Sequence, residues 1–371
     1  MNIVAYRKWI DSTDYWYARF DLLTNQLTEY LLNYKLNDAE FTKEVASKFE
    51  DVLRKCDEID YQEDSTATAY GILHFLSRYR RFQLIFSKLI DKGIFPPKKS
   101  PINILDVGTG PGPSLYALSD VYLSLKNFGD KRFKKILEDN QYFPDYVERS
   151  NGFRNWLHHF TEVANYKKPN GVDGWIVPYH HGTFLDFSGI QFEETYSYVE
   201  MDYDGDFFTK TRKRKYRYNV IIFSNFLTQV SQVENLRTEL QNCMRFLRNK
   251  GKLIISGGTG KIDSDKDYPE MYKKSKEIIL ENVYGNHNFI AKANYIKINR
   301  NQLESSYSDR FGERIKEFNR VIFKRLEEHN AIESIPKKVR KTIIESINDD
   351  YQRSSKWEFH VFEKFARHIR Y

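Results

Sequence analysis

Three glycines and an aspartate stand close together in the run INILDVGTGPGPS, which covers residues 102–114. Gly108, Gly110 and Gly112 alternate with other residues directly after an apolar segment, and Asp106 precedes them. Glycine permits a tight turn and lets a ligand approach the main chain without a Cβ atom in the way. A helix beginning just beyond would offer N–H groups and the positive end of its dipole to an anionic group. The spacing therefore predicts a ligand-binding turn between a strand and a helix.

The segments on either side of this turn follow different patterns. Before residue 97, apolar residues such as Phe20, Leu23 and Leu27 recur at three- and four-residue spacing, which predicts helices. The proline-containing run 96–101 cannot continue a helix. We therefore expect a helical N-terminal domain over residues 1–97 and a second domain over residues 98–371. In the second domain, short apolar runs such as YNVIIF alternate with amphipathic segments, which indicates βα units and a mainly parallel sheet.

The glycine spacing is GxGxG, whereas dinucleotide-binding folds carry GxGxxG. With Asp106 two positions ahead of Gly108, the run resembles the first motif of class I, Rossmann-like methyltransferases, which bind S-adenosylmethionine (SAM). The resemblance implies an α/β fold with a Rossmann-like core and a SAM site at the turn, including Thr109 and Pro111. Binding of NAD and an ordinary turn without a ligand are the alternatives.

Two later motifs follow from this resemblance. The second strand of the family ends in an acidic residue that accepts hydrogen bonds from both ribose hydroxyls, and Glu148 follows a short apolar run. More residues than usual separate Ser114 from Glu148, so we expect the first helix to carry an extension near residues 127–143. The third motif normally has an acidic residue near the adenine. Thr183 stands there instead, followed by Phe184.

The fourth motif falls at the end of the YNVIIF strand. The resemblance implies that Ser224, Asn225 and Phe226 lie beside the reacting sulfonium, because ligands bind at the carboxyl ends of strands in open α/β sheets. The segment SNFL lacks the Asn/Asp-Pro-Pro-aromatic sequence of enzymes that methylate exocyclic nitrogens of DNA bases. The sequence identifies no catalytic base.

A narrower resemblance involves the helix TAYGILHFLSRYRRFQLIF and the strand GKLIISGGTG. Both are similar to segments of the methyltransferase-like proteins of the small ribosomal subunit, including the mitochondrial assembly factors, with Gly258 and Thr259 matching. This chain lacks the C-terminal cysteine cluster of that family, since its cysteines are Cys56 and Cys243. The resemblance implies a ribosomal particle as a partner.

A basic run interleaved with tyrosines precedes the YNVIIF strand and follows an acidic stretch, and residues 190–217 are interpreted as an insertion. A further helical, basic insertion is expected near residues 300–350. The net charge of +7 is compatible with a polyanionic partner. Cations neutralise phosphates and tyrosines stack on bases, so the run suits RNA or single-stranded DNA. The alternative is a solvated loop that balances the acidic stretch. The candidate substrate-binding residues of this expected loop are Lys210, Arg212, Lys213, Arg214, Lys215 and Arg217.

These patterns predict a SAM-dependent methyltransferase whose acceptor is RNA or a ribonucleoprotein. A non-catalytic methyltransferase-like RNA-binding or assembly factor and a small-molecule methyltransferase are the alternatives. No metal is expected, because the pairs His158–His159 and His180–His181 lack further ligands at a metal-site spacing. The absence of a signal-like apolar region and of a membrane-length apolar run favours a cytoplasmic protein without membrane contact.

Overall fold

The computed structural model describes most of the chain, with gaps between the described ranges. These ranges are residues 2–55, 59–97, 101–177, 183–184, 193–201, 207–215, 218–224, 227–261, 267–285, 291–298, 310–341 and 357–366.

The described residues before position 97 form four α-helices, as the periodicity predicts. They are α1 (Ile3–Thr13), α2 (Tyr15–Tyr30), α3 (Ala39–Lys55) and α4 (Asp64–Asp91). Helix α2 continues into a π-helical turn over Leu31–Lys35. The buried face of α4 carries Phe75, Tyr79 and Phe82, which recur at helical spacing. The prediction of helices in this region is confirmed for the described residues.

The remaining elements alternate between strands and helices. In chain order they are β1 (Ile102–Val107), α5 (Pro113–Asn127), α6 (Lys131–Glu138), β2 (Tyr142–Val147), α7 (Asn151–Lys167), β3 (Thr183–Phe184), β4 (Glu193–Met201), β5 (Phe207–Lys215), β6 (Tyr218–Ser224), α8 (Val230–Asn235), α9 (Arg237–Phe246), β7 (Leu247–Gly258), α10 (Tyr268–Gly285), β8 (Ala291–Ile298), α11 (Arg310–Glu328) and β9 (Trp357–Ala366).

Seven of these strands form one sheet in the order β3-β2-β1-β6-β7-β9-β8. Strands β3, β2, β1, β6 and β7 are parallel to one another, and β9 is antiparallel to both β7 and β8. The parallel strands therefore end at the same edge of the sheet. The α/β fold with a mainly parallel sheet is confirmed.

Helices cover both faces of this sheet, so its strands are buried on both sides. Along β1, Ile102 and Ile104 belong to a core shared with the N-terminal helices and α5 to α7. Leu105 and Val107 belong to a second core, formed with α8 to α10. Successive residues of a strand point to opposite faces, so one apolar strand supplies both cores. The side chain of Asp106 therefore lies on the same face as Ile104.

The residues expected to extend the first helix near 127–143 form a separate helix. Helix α5 ends at Asn127, and the N-cap of α6, Asp130, accepts hydrogen bonds from the N–H groups of Arg132 and Phe133. Phe143 already belongs to β2. Residues 207–215 form strand β5, paired with β4 outside the seven-stranded sheet, rather than a loop. The β-branched and aromatic residues among the cations favour this strand.

Helix α11 lies within the helical segment expected near residues 300–350, and β9 follows it in the chain. Helix α11 buries Ile315, Phe318 and Ile322 in the first core. Its Arg314 Nε donates to Asp21 Oδ1 on α2 at 2.5 Å. This helix therefore packs against the N-terminal helices. Within the described residues, no helix has the length and apolar character needed to cross a membrane.

Candidate cofactor site at the glycine turn

The turn between β1 and α5 is held against the end of β2. The N–H groups of Gly108 and Thr109 donate to Val147 O at 2.9 and 3.3 Å, and Gly112 N donates to Thr109 O at 3.0 Å. Gly108, Gly110 and Gly112 all adopt left-handed backbone conformations, with φ of 66°, 56° and 84°. Residues that have a Cβ atom rarely adopt a positive φ, which explains why glycine occupies all three positions.

Asp106 is fully buried at the end of β1. Its Oδ2 accepts hydrogen bonds from the hydroxyl of Thr109 at 2.5 Å and from that of Ser114. Its Oδ1 is also buried and has no hydrogen-bond partner among the residues that the structure describes. Burial raises the pKa of the Asp106 carboxyl to about 7, although the two hydroxyls act in the opposite direction. A buried acceptor without a donor is costly, so Oδ1 suits a donor supplied by a ligand.

Glu148 directly follows β2 and joins its end to the glycine turn. Its Oε2 accepts from Gly110 N at 2.8 Å, and its Oε1 accepts from Ser150 N at 2.9 Å. Burial raises the pKa of the Glu148 carboxyl, and the two backbone N–H groups partly offset the rise. Each carboxylate oxygen has a second lone pair, so Glu148 can still accept bonds from a diol.

The glycines of the turn serve different purposes. A Cβ atom added to Gly112 would lie 2.5 Å from Leu157 Cδ1, so Gly112 lets α7 pack against the turn. A Cβ atom added to Gly110 would meet nothing closer than 3.8 Å, at the ring of Phe153. The position of a Cβ atom on Gly110 is thus free of close protein contacts, and Glu148 contacts the same residue through Gly110 N. A small ligand could lie there.

Three aromatic side chains from different parts of the chain pack together beside Gly110. Phe153 on α7 stacks on Tyr61 with ring centroids 4.3 Å apart, and Tyr70 on α4 contacts both rings edge-on at 5.0 and 5.2 Å. All three side chains are buried. No local pattern of the sequence indicated Tyr61, Tyr70 or Phe153 as site residues, because they lie far apart in the chain.

The segment that carries Tyr61 also contacts the start of α7. Gln62 Oε1 accepts from Asn151 N at 3.0 Å. A Cβ atom on Gly152 would lie 2.4 Å from Tyr61 O and 2.6 Å from Glu63 O, so only glycine fits there. The N-terminal region therefore contacts the start of α7, three and four residues beyond Glu148. Ser150, the N-cap residue of α7, lies between these contacts and Glu148.

Helix α5 is fixed from the other side by a buried ion pair. Asp120 Oδ1 accepts from Arg19 Nε at 2.7 Å, and its other oxygen accepts from the Tyr79 hydroxyl. Arg19 also donates to Asp173 O at 2.7 Å and lies over the ring of Trp175. Burial raises the pKa of Asp120, and the Arg19 charge opposes this rise. The helix behind the glycine turn is therefore tied to α2 and α4.

The other predicted site residues fall at the same edge of the sheet where the structure describes them. Thr183 and Phe184 form β3, in register with Tyr146 and Val147 of β2. Ser224 ends β6 and pairs with Ser256 of β7. Asn225 and Phe226 lie outside the described residues. Asp106, the glycine turn, Glu148, β3 and Ser224 thus meet at the carboxyl ends of adjacent strands, where open α/β sheets bind ligands.

The histidines have other contacts. The ring of His158 shares a hydrogen bond of 2.6 Å with the Tyr146 hydroxyl, and His159 packs edge-on against Tyr30. His180 and His181 lie outside the described residues. In the part of the chain that the structure describes, no group of three or more His, Cys, Asp or Glu residues could hold a metal ion.

The candidate substrate-binding cations lie on the separate hairpin. Lys210, Arg212, Lys213, Arg214 and Lys215 all belong to strand β5, and Arg217 lies outside the described residues. The expectation of a protruding loop is wrong for residues 210–215, since each of them pairs with a residue of β4.

Comparison with family models returns no match, and neither does comparison with curated proteins. Among solved structures, the chain is similar to phosphoethanolamine N-methyltransferase 2 of Haemonchus contortus, in complex with phosphomonomethylethanolamine and S-adenosylhomocysteine, at 13% identity and a TM-score of 0.38, covering 86% of this chain and 60% of that one. This chain therefore spans 60% of the length of that enzyme. It is also similar to a sarcosine dimethylglycine methyltransferase from Galdieria sulphuraria, at 12% identity and a TM-score of 0.38, covering 78% and 85% of the two chains.

A third similar structure is coclaurine N-methyltransferase bound to N-methylheliamine and S-adenosylhomocysteine, at 12% identity and a TM-score of 0.33, covering 98% of this chain and 100% of that one. The fold assignment stands on this chain's own strand order. Five neighbouring parallel strands, one antiparallel strand near the sheet edge and a glycine turn after β1 make up a Rossmann-like α/β fold. None of the three structures belongs to the ribosomal methyltransferase-like family.

Proposed function

We propose that this chain binds SAM at the glycine turn and transfers its methyl group to an acceptor. The observation that carries the proposal is the buried, unpartnered Oδ1 of Asp106 beside a glycine turn whose central residue, Gly110, has open space above it. A ligand that is cationic at one end and carries a diol at the other matches Asp106 and Glu148. NAD would instead place a pyrophosphate at the turn, and the GxGxG spacing differs from the GxGxxG of dinucleotide-binding folds.

Several residues would hold the cofactor. Asp106 and the turn residues Gly108 to Gly112 would bind the methionine end, and Glu148 would accept bonds from the ribose hydroxyls. Thr183 and Phe184 would lie by the adenine, and Ser224, Asn225 and Phe226 by the sulfonium. When bound, SAM supplies a methyl group on a positively charged sulfur, which leaves as a neutral thioether. The chain itself needs to orient the acceptor in line with that bond and exclude water. We assign no catalytic base.

Two acceptor classes are supported by different parts of the molecule. The run of cations on β5 supports RNA or a ribosomal particle in the cytoplasm, since Lys and Arg neutralise phosphates. The enclosed aromatic group of Tyr61, Tyr70 and Phe153 supports a small-molecule acceptor instead, because buried apolar walls are typical of small-molecule sites. RNA is our first candidate and a small molecule our second.

Calorimetry with S-adenosylhomocysteine and label transfer test the proposal together. We expect one molecule of this product to bind per chain. Incubation with methyl-labelled SAM and total cell extract, followed by separation into RNA, DNA, protein and small-molecule fractions, should label the RNA fraction. Label among the small molecules would favour the second acceptor class. Product binding without label in any fraction would indicate a non-catalytic binding protein, and failure to bind the product would overturn the cofactor assignment.

A further inference from the structure

Three polar residues lie on one face of the sheet at its carboxyl edge. Successive residues of a strand alternate between the two faces, and Ile222 of β6 and Ile254 of β7 belong to the first core. Ser224 and Ser256 come two positions later on these strands, so they lie on the first-core face, as Asp106 does. Ser224 and Ser256 are also partners in the register of β6 and β7. The two serines therefore lie side by side, with their backbones about 4.8 Å apart.

The hydroxyl of Ser256 is buried and lacks a hydrogen bond. Ser256 is 1% exposed, and its Oγ has no hydrogen-bond partner among the residues that the structure describes. Ser224 beside it is 8% exposed. A buried hydroxyl without a partner costs free energy, because it has lost its hydrogen bonds to water. Like Oδ1 of Asp106, the Ser256 hydroxyl suits a ligand that supplies the missing bond.

Aromatic residues border Ser256 on the side of β9. Phe359 is its register partner, and Trp357 begins the same strand. Both aromatic residues belong to the first core. Arg81 of α4 lies over the Trp357 ring, so the N-terminal helices reach this edge of the sheet. Ser256 thus has a hydroxyl on one side and aromatic residues on the other, a combination that suits a small molecule with one polar group.

The strand order relates the two serines to the proposed cofactor site. Strand β6 lies between β1, which carries Asp106, and β7, which carries Ser256. Two strand spacings amount to about 10 Å across the sheet. In the proposed binding mode, the methionine end of SAM lies at β1 and the sulfonium lies beside Ser224 on β6. An acceptor that approaches the methyl group from the side of β7 would meet Ser256.

We propose that Ser224 and Ser256 bind the N–H group of a small amine, which accepts the methyl group. A serine hydroxyl can accept a hydrogen bond from an N–H group and leave the lone pair of the nitrogen free. That lone pair forms the bond to the methyl carbon while the carbon–sulfur bond breaks, and the surplus proton on nitrogen passes to water. An alcohol would usually need a base, whereas an amine needs only orientation, which two serines can provide. The proposal deepens the small-molecule branch of the proposed function and rests on its cofactor site.

Two cofactor analogues separate the acceptor side of this site from the cofactor side. Sinefungin carries an amino group where SAM carries its sulfonium methyl, and S-adenosylhomocysteine carries no group there. Calorimetry measures both affinities for the unchanged protein, Ser256→Ala and Ser224→Ala. Each variant loses an acceptor for the charged amino group, so it should bind sinefungin about tenfold or more weakly. The affinity of each variant for S-adenosylhomocysteine should stay within about threefold of the unchanged value.

Ser124→Ala is a matched control, because Ser124 is a buried serine near the far end of α5. Its Oγ shares a hydrogen bond of 2.6 Å with the Tyr6 hydroxyl. The control should bind both analogues as the unchanged protein does, but its thermal midpoint should fall because the Tyr6 hydroxyl loses its partner. Ser256→Ala should not lower the thermal midpoint, because its hydroxyl has no protein partner to lose.

Two results with the serine variants would overturn the proposal. They are equal losses of affinity for both analogues, or an unchanged affinity for sinefungin. A thermal midpoint of Ser256→Ala as low as that of Ser124→Ala would also contradict it, since the hydroxyl would then have a partner already. If Ser256→Ala does not fold, Ser224→Ala still decides.

The extract experiment tests the acceptor class. We expect methyl label in small amines that a cation exchanger retains, and label in RNA alone would overturn this acceptor. Failure of the unchanged protein to bind S-adenosylhomocysteine would instead overturn the cofactor site. A protein that binds this product but does not lose sinefungin affinity in the serine variants keeps the cofactor site and loses only the amine site.

Discussion

Gly110 and Glu148 are 38 positions apart in the chain, and Glu148 Oε2 accepts a hydrogen bond from Gly110 N at 2.8 Å. The contact places a buried carboxylate against the central residue of the glycine turn. The same carboxylate also accepts from Ser150 N, so it joins the turn after β1 to the N-terminus of α7. The site's shape therefore depends on Glu148 even before any ligand binds.

Removal of the Glu148 carboxylate should weaken binding of S-adenosylhomocysteine. The carboxylate offers a charged acceptor to paired hydroxyls, and loss of such a bond costs about 1.5–3 kcal/mol, so Glu148→Ala should bind roughly ten- to a hundredfold more weakly. Calorimetry measures the change. Glu162→Ala, at an exposed position on α7, is the control and should bind normally. A change below about threefold in Glu148→Ala would contradict its place in the site.

Alanine substitutions at Gly110 and at Gly129 distinguish the loss of space for the ligand from backbone strain. Gly110 and Gly129 both have a positive φ, 56° and 84°, and a Cβ atom at Gly129 meets nothing within 4 Å. Alanine should therefore cost about 1–2 kcal/mol of stability at either position. Only Gly110→Ala should also abolish cofactor binding, because its Cβ would enter the ligand space. Equal product affinities for the two folded variants would show that the ligand lies elsewhere.

The raised pKa of Asp106 predicts that the ligand-free protein becomes less stable as the pH rises. Its pKa is raised from 3.8 to about 7 in the folded protein, so folding favours the protonated form. The contribution is fully present below pH 3.8 and is lost as pH rises through about 7. The slope due to one such group is at most about 1.4 kcal/mol per pH unit. Urea denaturation between about pH 5 and 8 should show a flatter dependence for Asp106→Asn. Parallel curves for the two proteins would contradict the burial of an ionisable Asp106.

A methyl group on Gly152 should displace the segment that carries Tyr61. Alanine normally stabilises a helix relative to glycine, yet its Cβ at this position would overlap the carbonyl oxygens of Tyr61 and Glu63. We expect Gly152→Ala to lower the free energy of unfolding by about 1–3 kcal/mol and to weaken cofactor binding. Asn155→Ala, at an exposed position of the same helix, should lower neither. Thermal denaturation and calorimetry report the two effects, and a stabilised Gly152→Ala would refute the contact.

The local patterns of the sequence predict the elements well but not the contacts between them. The glycine spacing and apolar runs correctly predicted the strand-turn-helix at Asp106, because the turn and the buried strand depend mainly on residues that are close together in the sequence. The pairing of β5 with β4 was missed, since alternating cations and threonines look like a solvated loop until a partner strand is known. Tyr61 was missed because its partner Phe153 lies on another element. Long-range packing has no local signature.

The ion pair between Arg19 and Asp120 spans 101 positions of the chain. During synthesis at about 5–20 residues per second, Asp120 follows Arg19 after roughly 5–20 s. Helices α1 and α2 therefore leave the ribosome long before the carboxylate that neutralises Arg19 exists. Helix α2 packs against α7 and α11 as well, so part of its apolar face lacks its partner until those later helices are synthesised. The buried pair behind the glycine turn can therefore form only after most of α5 has been synthesised.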